Sequence, residues 1–310
     1  MATAIPFRRE FDFQYGTAET LSPLIRRVVA RNPSPFTFKG TGTYIVGRGQ
    51  VAIIDPGPDM AEHIAALLKA VSGETVTHIL VTHTHLDHSP AAAAVKRATG
   101  AKTYGYGPHG SGRAEDRAKN PGGIELGVVE EGGDHDFNPD TAMREGDGLA
   151  GPNWRLTAVE TPGHTSNHLC FYLAEEKILF TGDHVMGWST SVITPPDGDM
   201  AAYMRSLRKL LKRDDVLYWP THGPSIPEPK KHVAAFIVHR QERRTAILAA
   251  LLAGASSIPE IVERVYAGLD PRLVHAAGRS VLAHLIELAE TRQVTSDAPP
   301  SLSTRYRIKN

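Results

Sequence analysis

The sequence has very little cysteine, no long apolar run and no excess of charge of either sign. Its single cysteine, Cys170, excludes a disulfide framework and fits a reducing compartment. The apolar run at residues 169–173 favours a small buried apolar role for this thiol. Lys and Arg together number 34, as do Asp and Glu, so no global basic field points to nucleic acid or an anionic membrane.

We expect neither a secretory signal peptide at the N-terminus nor a membrane-spanning segment. Residues 1–10 lack the apolar core of a secretory signal, and no run approaches the roughly 20 apolar residues that cross a bilayer. We therefore expect no membrane partner and a cytoplasmic location. The 310 residues, 41% of them hydrophobic, allow one large globular domain with a second, smaller one.

Short β-branched runs that end in polar motifs recur through the first two thirds of the chain. Strands are predicted at residues 43–47, 51–54, 77–81, 154–159, 169–173, 177–180 and 216–219. Helices are predicted at residues 60–70, 90–99 and 200–211. Residues 105–151 are rich in Gly, Asp, Glu and Asn, with only 124–129 apolar, which predicts an extended surface excursion bordering the active site.

The pattern changes after Pro229. Three helices are predicted at residues 232–253, 258–266 and 272–290, and two short strands within residues 293–308. Three helices followed by a hairpin is the order of a winged helix. We place the domain boundary near residue 230, which gives a catalytic domain at 1–230 and a winged-helix domain at 231–310.

Four side chains able to bind a metal lie within six residues, directly after the strand predicted at 77–81: His83, His85, Asp87 and His88. Alternate residues of an extended segment share a side, so His83, His85 and Asp87 face one way, and His88 begins the next helix. Two adjacent cations, roughly 3.5–4 Å apart, use such a set. Chance clustering of core histidines is the alternative, and the spacing argues against it.

Three further segments each place one such side chain at a strand end, beside Gly or Pro. These side chains are His164, Asp183 and His222. Turns of this kind can hold side chains over a shared cleft.

These segments, with Asp55 in Ile54-Asp55-Pro56-Gly57, resemble the five signature motifs of the metallo-β-lactamase superfamily. The resemblance covers about residues 35–230 and implies an α+β fold, the four-layer αββα sandwich. It implies one metal site made by His83, His85 and His164, and another made by Asp87, His88 and His222. Asp183 would bridge the two sites, and Asp55 would orient a ligand histidine.

Imidazole and carboxylate ligands without thiolate suit zinc, so we expect two Zn2+ per chain, with manganese or iron as alternatives. A metal-bridging hydroxide would attack a carbonyl or phosphoryl centre, with Asp87 and Asp183 as the catalytic carboxylates. His168 and His184 are candidates for substrate contact or for supporting a ligand, and a purely local hydrogen bond is the alternative for each. The other histidines lack ligand spacing and are expected to be structural or solvated.

Residues 181–188, 196–207 and 239–252 resemble the lactamase-beta-two-like group, which joins this catalytic domain to a C-terminal winged helix. The resemblance implies either a single-strand endoribonuclease or a thioesterase acting on acyl-carrier or coenzyme A substrates. The long 105–151 segment departs from the shorter connection of that group and leaves the substrate open.

The charge of the C-terminal region bears on this choice. Residues 231–310 hold 11 Lys and Arg against 7 Asp and Glu, a net charge of +4, which falls short of a basic recognition surface. We therefore expect a hydrolase of small-molecule esters or thioesters. An endoribonuclease with RNA as its partner, and a non-enzymatic nucleic-acid-binding or protein-binding role of the winged helix, are the alternatives. The oligomeric state is left open, a homo-oligomer included.

Overall fold

The computed structural model describes residues 4–113 and 132–309, and two β-sheets packed face to face form its centre. The first sheet contains, in order, β1 (Glu19–Thr20), β2 (Ile25–Val29), β3 (Gly42–Arg48), β4 (Gln50–Ile54), β5 (Thr75–Leu80), β6 (Lys102–Gly105) and β7 (Thr141–Ala142). The second contains β8 (Gly148–Ala150), β9 (Arg155–Glu160), β10 (Leu169–Leu173), β11 (Ile178–Gly182) and β12 (Leu217–Pro220), ordered β12-β11-β10-β9-β8.

Alternate residues of these strands build the core between the sheets. Tyr44 and Val46 of β3 meet Phe171 of β10 and Phe180 of β11 in one buried apolar cluster, as the period of two in a strand requires. Trp154 lies in the same cluster, 1% exposed, and its indole N–H donates to the carbonyl of Gln50 at 2.9 Å. The sheets are therefore held together by apolar contacts and by the buried hydrogen bond of the Trp154 indole N–H.

Helices cover both outer faces of the sheets. On the first sheet lie α1 (Ala61–Ala70) and α2 (Ala91–Thr99), which bury Leu67 and Val95 against Ile53 and Ile79. On the second lie α3 (Met200–Leu211) and the beginning of α4 (Pro229–Leu252), which bury Tyr203, Leu207 and Phe236. The layer order is helix, sheet, sheet, helix, so the predicted αββα sandwich is confirmed.

A separate core holds the C-terminal region. The end of α4 packs with α5 (Ile258–Val265) and α6 (Val274–Glu290) around Ile247, Ile261 and Leu285. β13 (Val294–Ser296) and β14 (Tyr306–Ile308) then pair as an antiparallel hairpin. This is the predicted winged-helix order. Because α4 contributes to both cores, the boundary near residue 230 falls on its first residues and stays a prediction.

Strand β2 was not predicted from the sequence. Its residues, Ile-Arg-Arg-Val-Val, carry two arginines that break the apolar pattern. Arg27 is nevertheless only 3% exposed, because its guanidinium pairs with Glu19 at 2.7 Å and lies 4.5 Å from the centre of the Phe11 ring. The partners of Arg27 lie on the adjacent strand β1 and in the N-terminal segment, outside the residue pattern of β2 itself.

The prediction of a surface excursion over residues 105–151 is wrong for its last part. β7 and β8 extend one edge of each sheet, and Met143 between them is 2% exposed and belongs to the core between the sheets. The apolar residues 124–129 lie outside the described part of the chain. Strands of two and three residues are too short to produce a recognisable pattern.

The expected burial of the single cysteine is confirmed. Cys170 is fully buried, and burial raises the pKa of its thiol to about 12, so it behaves as a small apolar residue. Among the helices of the described residues, none combines the length and hydropathy needed to cross a bilayer.

Candidate metal centre

Five strand ends bring the predicted metal ligands to one edge of the sandwich. The segment with His83 to His88 follows β5, His164 follows β9, Asp183 follows β11 and His222 follows β12. Asp55 follows β4 in the same way. The two sheets are joined at this edge, where the N–H of Gly42 donates to the carbonyl of Thr221 at 2.8 Å.

The first group, which we call the imidazole triad, consists of His83, His85 and His164. Nε2 of His83 and Nε2 of His164 lie 3.1 and 3.2 Å from Nδ1 of His85. Nitrogen ligands at 2.0–2.1 Å from a tetrahedral zinc ion stand about 3.3 Å apart. The spacing of these three nitrogens therefore suits chelation of one cation.

The second group, the carboxylate triad, consists of Asp87, His88 and His222. Oδ2 of Asp87 lies 3.0 Å from Nε2 of His222 and 3.3 Å from Nε2 of His88. Thr41, which sequence reasoning did not find, donates its hydroxyl to the same Oδ2 at 3.3 Å. One carboxylate oxygen and two imidazole nitrogens again converge on one point.

Asp183 lies between the two triads. Its Oδ2 is 3.3 Å from Nε2 of His222 and 3.9 Å from Nε2 of His164, and its Oδ1 is 3.6 Å from Nε2 of His88. The structure thus brings all seven predicted ligands together, in overlapping groups whose donor atoms lie within 4.8 Å of one another. The assignment of each ligand to a particular cation stays a prediction.

The far nitrogens of the ligand imidazoles are held by oxygen atoms. Nδ1 of His88 lies 2.9 Å from Oδ2 of Asp55, Nδ1 of His164 is 2.6 Å from the carbonyl of Val192, and Nδ1 of His222 is 3.2 Å from the carbonyl of Gly40. A donor N–H on that side leaves the lone pair of the other nitrogen pointing into the cleft. These contacts fix both the tautomer and the ring orientation.

Asp55 anchors this edge of the sandwich. Besides His88, its carboxylate accepts hydrogen bonds from the N–H of Thr82 at 2.7 Å, from the Thr82 hydroxyl at 2.8 Å and from the Thr221 hydroxyl at 2.8 Å. Sequence reasoning missed both threonines. A signal was present, since each directly precedes a predicted ligand histidine.

A glycine shapes the turn that carries Asp183. Gly182 has a φ of +51°, and a Cβ there would lie 2.6 Å from Nε2 of His168 and 2.9 Å from the Thr82 hydroxyl. The backbone conformation and the close approach both require glycine.

Burial and charge act differently on the two triads. Burial lowers the pKa of His83 well below its usual value and that of His85 to about 3, and the neighbouring imidazoles add to the effect. At His222, burial is outweighed by Asp183 and Asp87, which raise its pKa to about 10. His83 and His85 are therefore neutral, as nitrogen ligands must be, and the carboxylates of Asp87 and Asp183 need positive charge beside them.

The residues present fit a pair of divalent cations. Within the described residues, Oδ1 of Asp87, Nε2 of His88 and Oδ1 of Asp183 are buried and have no hydrogen-bond partner. An unsatisfied buried polar group costs about 1–3 kcal/mol, and more when it is charged. Cations ligated by these atoms would remove that cost, and the mixed nitrogen and oxygen donor set suits zinc.

The two additional candidates, His168 and His184, have different surroundings. Nε2 of His168 accepts a hydrogen bond from the N–H of Asp183 at 3.3 Å, and its Nδ1 lies 2.8 Å from the Thr161 hydroxyl, so it positions the turn at Asp183. The His184 ring packs 4.6 Å from the Tyr203 ring and is absent from the lining of the cleft. Substrate contact by His184 therefore has no support in the geometry.

An apolar cleft leads from the metal centre to the winged helix. Phe36, Trp188 and Val192 line its mouth beside His85, His164 and Asp183. It continues as a cleft of about 390 Å³, where Phe38 stacks on Trp188 with ring centres 4.9 Å apart, towards Tyr266 and Leu269. The sequence did not predict the residues that line this cleft, because they belong to loops and helices far apart in the chain.

Comparison with known families matches both parts of the chain. The family described as the metallo-beta-lactamase superfamily matches residues 37–222. The family described as the beta-lactamase associated winged helix domain matches residues 257–299. The solved structure of a metallo-beta-lactamase family protein from Thermus thermophilus superposes with a TM-score of 0.74 at 24% identity, covering 94% of this chain and 100% of that one.

Curated relatives include proteins of several kinds. The chain is similar to the lactamase-like protein adaB of Aspergillus niger, with 29% identity over 97% of this chain and 95% of that protein. A beta-lactamase-like protein 2 homolog of Caenorhabditis elegans is 31% identical over 75% of this chain and 72% of its own length. The atrochrysone carboxyl ACP thioesterase AacuM of Aspergillus aculeatus is 32% identical over 75% of this chain and 66% of its own length.

Proposed function

Because the chain belongs to the metallo-beta-lactamase superfamily and is a metal-dependent hydrolase, we propose that it hydrolyses small-molecule esters or thioesters with two bound Zn2+. The position of Asp183 carries this proposal, since its two oxygens face both triads within 3.3–3.9 Å. Manganese or iron suits the same donors less well than zinc, and elemental analysis of the purified protein identifies the metal.

The chemistry divides between the cations and the protein. Two divalent cations held by these residues would lower the pKa of a coordinated water and would stabilise negative charge on the attacked carbonyl oxygen. Asp183 lies between the two triads and keeps them at a fixed distance from each other. Within the carboxylate triad, Asp87 lies 3.0 Å from His222 and 3.3 Å from His88 and fixes the positions of both imidazoles. With the cations bound, the carboxylates of Asp87 and Asp183 would accept the proton that the attacking water loses.

The apolar cleft supports an acyl substrate. Phe36, Phe38 and Trp188 flank the path to the metal centre, and aromatic side chains in this position provide apolar surface for an acyl group. A thiolate leaves without the protonation that an alkoxide needs, which favours a thioester in a site with few general acids. The name of the Aspergillus aculeatus relative, an ACP thioesterase, agrees with this class of substrate.

The winged helix supports the cleft rather than a nucleic-acid duplex. In winged helices that read DNA, the third helix enters the major groove, and here that helix is α6, of which ten of the 17 residues are buried. Leu273, Ala276 and Ala277, at and before its first turns, line the cleft. We therefore propose that this domain is a wall of the substrate site.

Two substrates tested side by side separate the candidate functions. Zinc-loaded protein is offered an aromatic acyl thioester and single-stranded RNA, with Asp87→Ala as the inactive variant. Asp59→Ala, which removes an exposed carboxylate from a loop, is the matched control. We expect thioester hydrolysis that Asp87→Ala abolishes and Asp59→Ala preserves. RNA cleavage lost in Asp87→Ala, with no thioester hydrolysis, would overturn the proposal in favour of an endoribonuclease.

A further inference from the structure

A second cavity, remote from the metal ligands, is lined by basic side chains. It has a volume of about 400 Å³ and lies where α3, α4 and α6 meet. Its basic lining residues are Arg205, Arg208, Arg240, Arg244 and His284. We call it the arginine cavity.

Helical spacing aims these side chains at one space. Arg205 and Arg208 are three residues apart on α3, and Arg240 and Arg244 are four apart on α4, so each pair shares a helix face. His284 presents its ring from α6. Three helices from both parts of the fold therefore contribute donors to the same cavity.

The cavity has a large excess of positive charge. Glu287 is the one acidic residue in its lining, and it pairs with Arg244 at 3.3 Å. Within the described residues, Arg205 and Arg208 make no ion pair. With four guanidinium groups against one carboxylate, the cavity lacks the anion that would balance it.

Two of its donors are buried without full partners. Arg240 is 4% exposed and His284 is 1% exposed. Arg240 donates from one terminal nitrogen to the carbonyl of Ser191, but within the described residues its Nε and both nitrogens of His284 have no hydrogen-bond partner. Buried donors of this kind are costly unless an acceptor reaches them.

We propose that the arginine cavity binds a phosphate group of a small phosphorylated molecule. Guanidinium groups recognise phosphate through paired hydrogen bonds, and several of them converging on one space suit a dianion with three acceptor oxygens. The volume exceeds what one phosphate fills and lies within the range of sites for small molecules, about 300–1,000 Å³. An organic group attached to the phosphate therefore also fits.

The cavity is linked to the metal centre through one short chain of contacts. Arg240 donates to the carbonyl of Ser191, and the hydroxyl of Ser191 donates to the backbone carbonyls of Asp183 at 2.5 Å and of His184 at 2.8 Å. Arg240 also lines the apolar cleft. The phosphate is therefore carried either by the substrate itself or by a separate ligand bound beside the site.

Calorimetric titration with inorganic phosphate tests the site without any use of activity. The double variant Arg205→Ala/Arg208→Ala removes two exposed cavity residues, and Lys102→Ala/Lys212→Ala removes two charges outside the cavity. Phosphate bound at the metal centre contributes equally to both. We expect the dissociation constant to rise at least tenfold in the arginine variant alone, with unchanged melting temperatures. Equal affinities in the two variants, or no binding by the wild type, would overturn the proposal.

A second comparison, which rests on the proposed function, identifies the source of the phosphate. One acyl group is offered as its coenzyme A thioester and as its N-acetylcysteamine thioester, which has no phosphate. If the substrate carries the phosphate, the arginine variant raises KM for the coenzyme A thioester only. If a separate ligand carries it, KM is unchanged for both substrates while the calorimetric loss persists. Absence of hydrolysis would refute the proposed function and leave the calorimetric result standing.

Discussion

The metal centre and the arginine cavity are two polar regions built with opposite charge. At the metal centre, Asp87 and Asp183 stand among five imidazoles, and the far nitrogens of His88, His164 and His222 are held by oxygen atoms. At the arginine cavity, four arginines surround His284, neither nitrogen of which has a partner within the described residues. The first region needs cations and the second needs an anion.

This difference shows what a buried histidine means in each setting. An imidazole whose outer nitrogen is fixed presents the other as a ligand. An imidazole with two unpaired nitrogens among guanidinium groups is a donor that lacks an acceptor. The neighbouring charges and the state of the second nitrogen therefore separate a metal ligand from a group that faces an anion.

The largest expected effect comes from removing the residue that joins the two triads. Asp183→Ala should lower kcat/KM at least about a thousandfold, because it removes the ligand that we propose both cations share, and with it several kcal/mol of transition-state stabilisation. Steady-state kinetics on a thioester, with metal content measured on the same sample, checks this. A loss of less than about tenfold would mean that Asp183 does not bridge the site.

A smaller effect is expected from the residue that orients His88. Asp55→Asn should weaken metal binding by about 10–100-fold, since the carboxylate contacts Nδ1 of His88 at 2.9 Å and anchors Thr82 and Thr221. Competition with a chelator measures the affinity. Thr221→Val, which removes only one of those hydrogen bonds, is the graded control and should have the weaker effect. Equal affinities in Asp55→Asn and wild type would refute the orienting role.

The position of His284 in the arginine cavity predicts that the free energy of unfolding decreases at acid pH. Burial, with the charges of Arg240 and Arg244, lowers the pKa of His284 to about 3. The pKa of His284 in the folded protein lies below its value of about 6.5 in the unfolded chain. The contribution of His284 to the free energy of unfolding is therefore highest above pH 6.5 and decreases as the pH falls towards 3. From pH 7 to pH 5, wild type should lose about 2 kcal/mol more free energy of unfolding than His284→Gln.

Denaturant titrations at the two pH values, in buffer without phosphate, measure this difference. All other buried histidines are common to both proteins and cancel in the comparison. Identical losses in the two proteins would show that His284 does not titrate with unfolding.

The smallest effect concerns the apolar side of the metal cleft. Trp188 stacks on Phe38 and lines the mouth of the cleft, so Trp188→Ala should raise KM for an aromatic acyl thioester by about threefold to tenfold, the size of one aromatic contact. The value of kcat should change little, since Trp188 is not one of the seven candidate metal ligands. An unchanged KM would place the acyl group elsewhere.

The seven candidate metal ligands could be found in the sequence because local patterns carry them. Each follows an apolar run that forms a strand, and the cluster from His83 to His88 lies within a single turn after β5. The winged-helix order followed from the same periodicity, and the αββα layers followed from the resemblance to known motifs. These features depend on residues that are close together in the sequence, so sequence patterns predict them.

The remaining features depend on contacts between distant segments. His284 was expected to be structural or solvated, and only the packing of α6 against α3 and α4 places it beside Arg208 and Arg240. Likewise, β2 forms because Glu19 and Phe11 accommodate Arg27. The sequence around each of these residues does not indicate which partner it will contact.

The central claim, two cations held by the two triads, is tested most directly by anomalous scattering at the zinc edge from crystals of the zinc-loaded protein. We expect two peaks roughly 3.5–4 Å apart, one ligated by His83, His85 and His164 and the other by Asp87, His88 and His222, with Asp183 contacting both. A single peak, or a second peak away from the carboxylate triad, would contradict it.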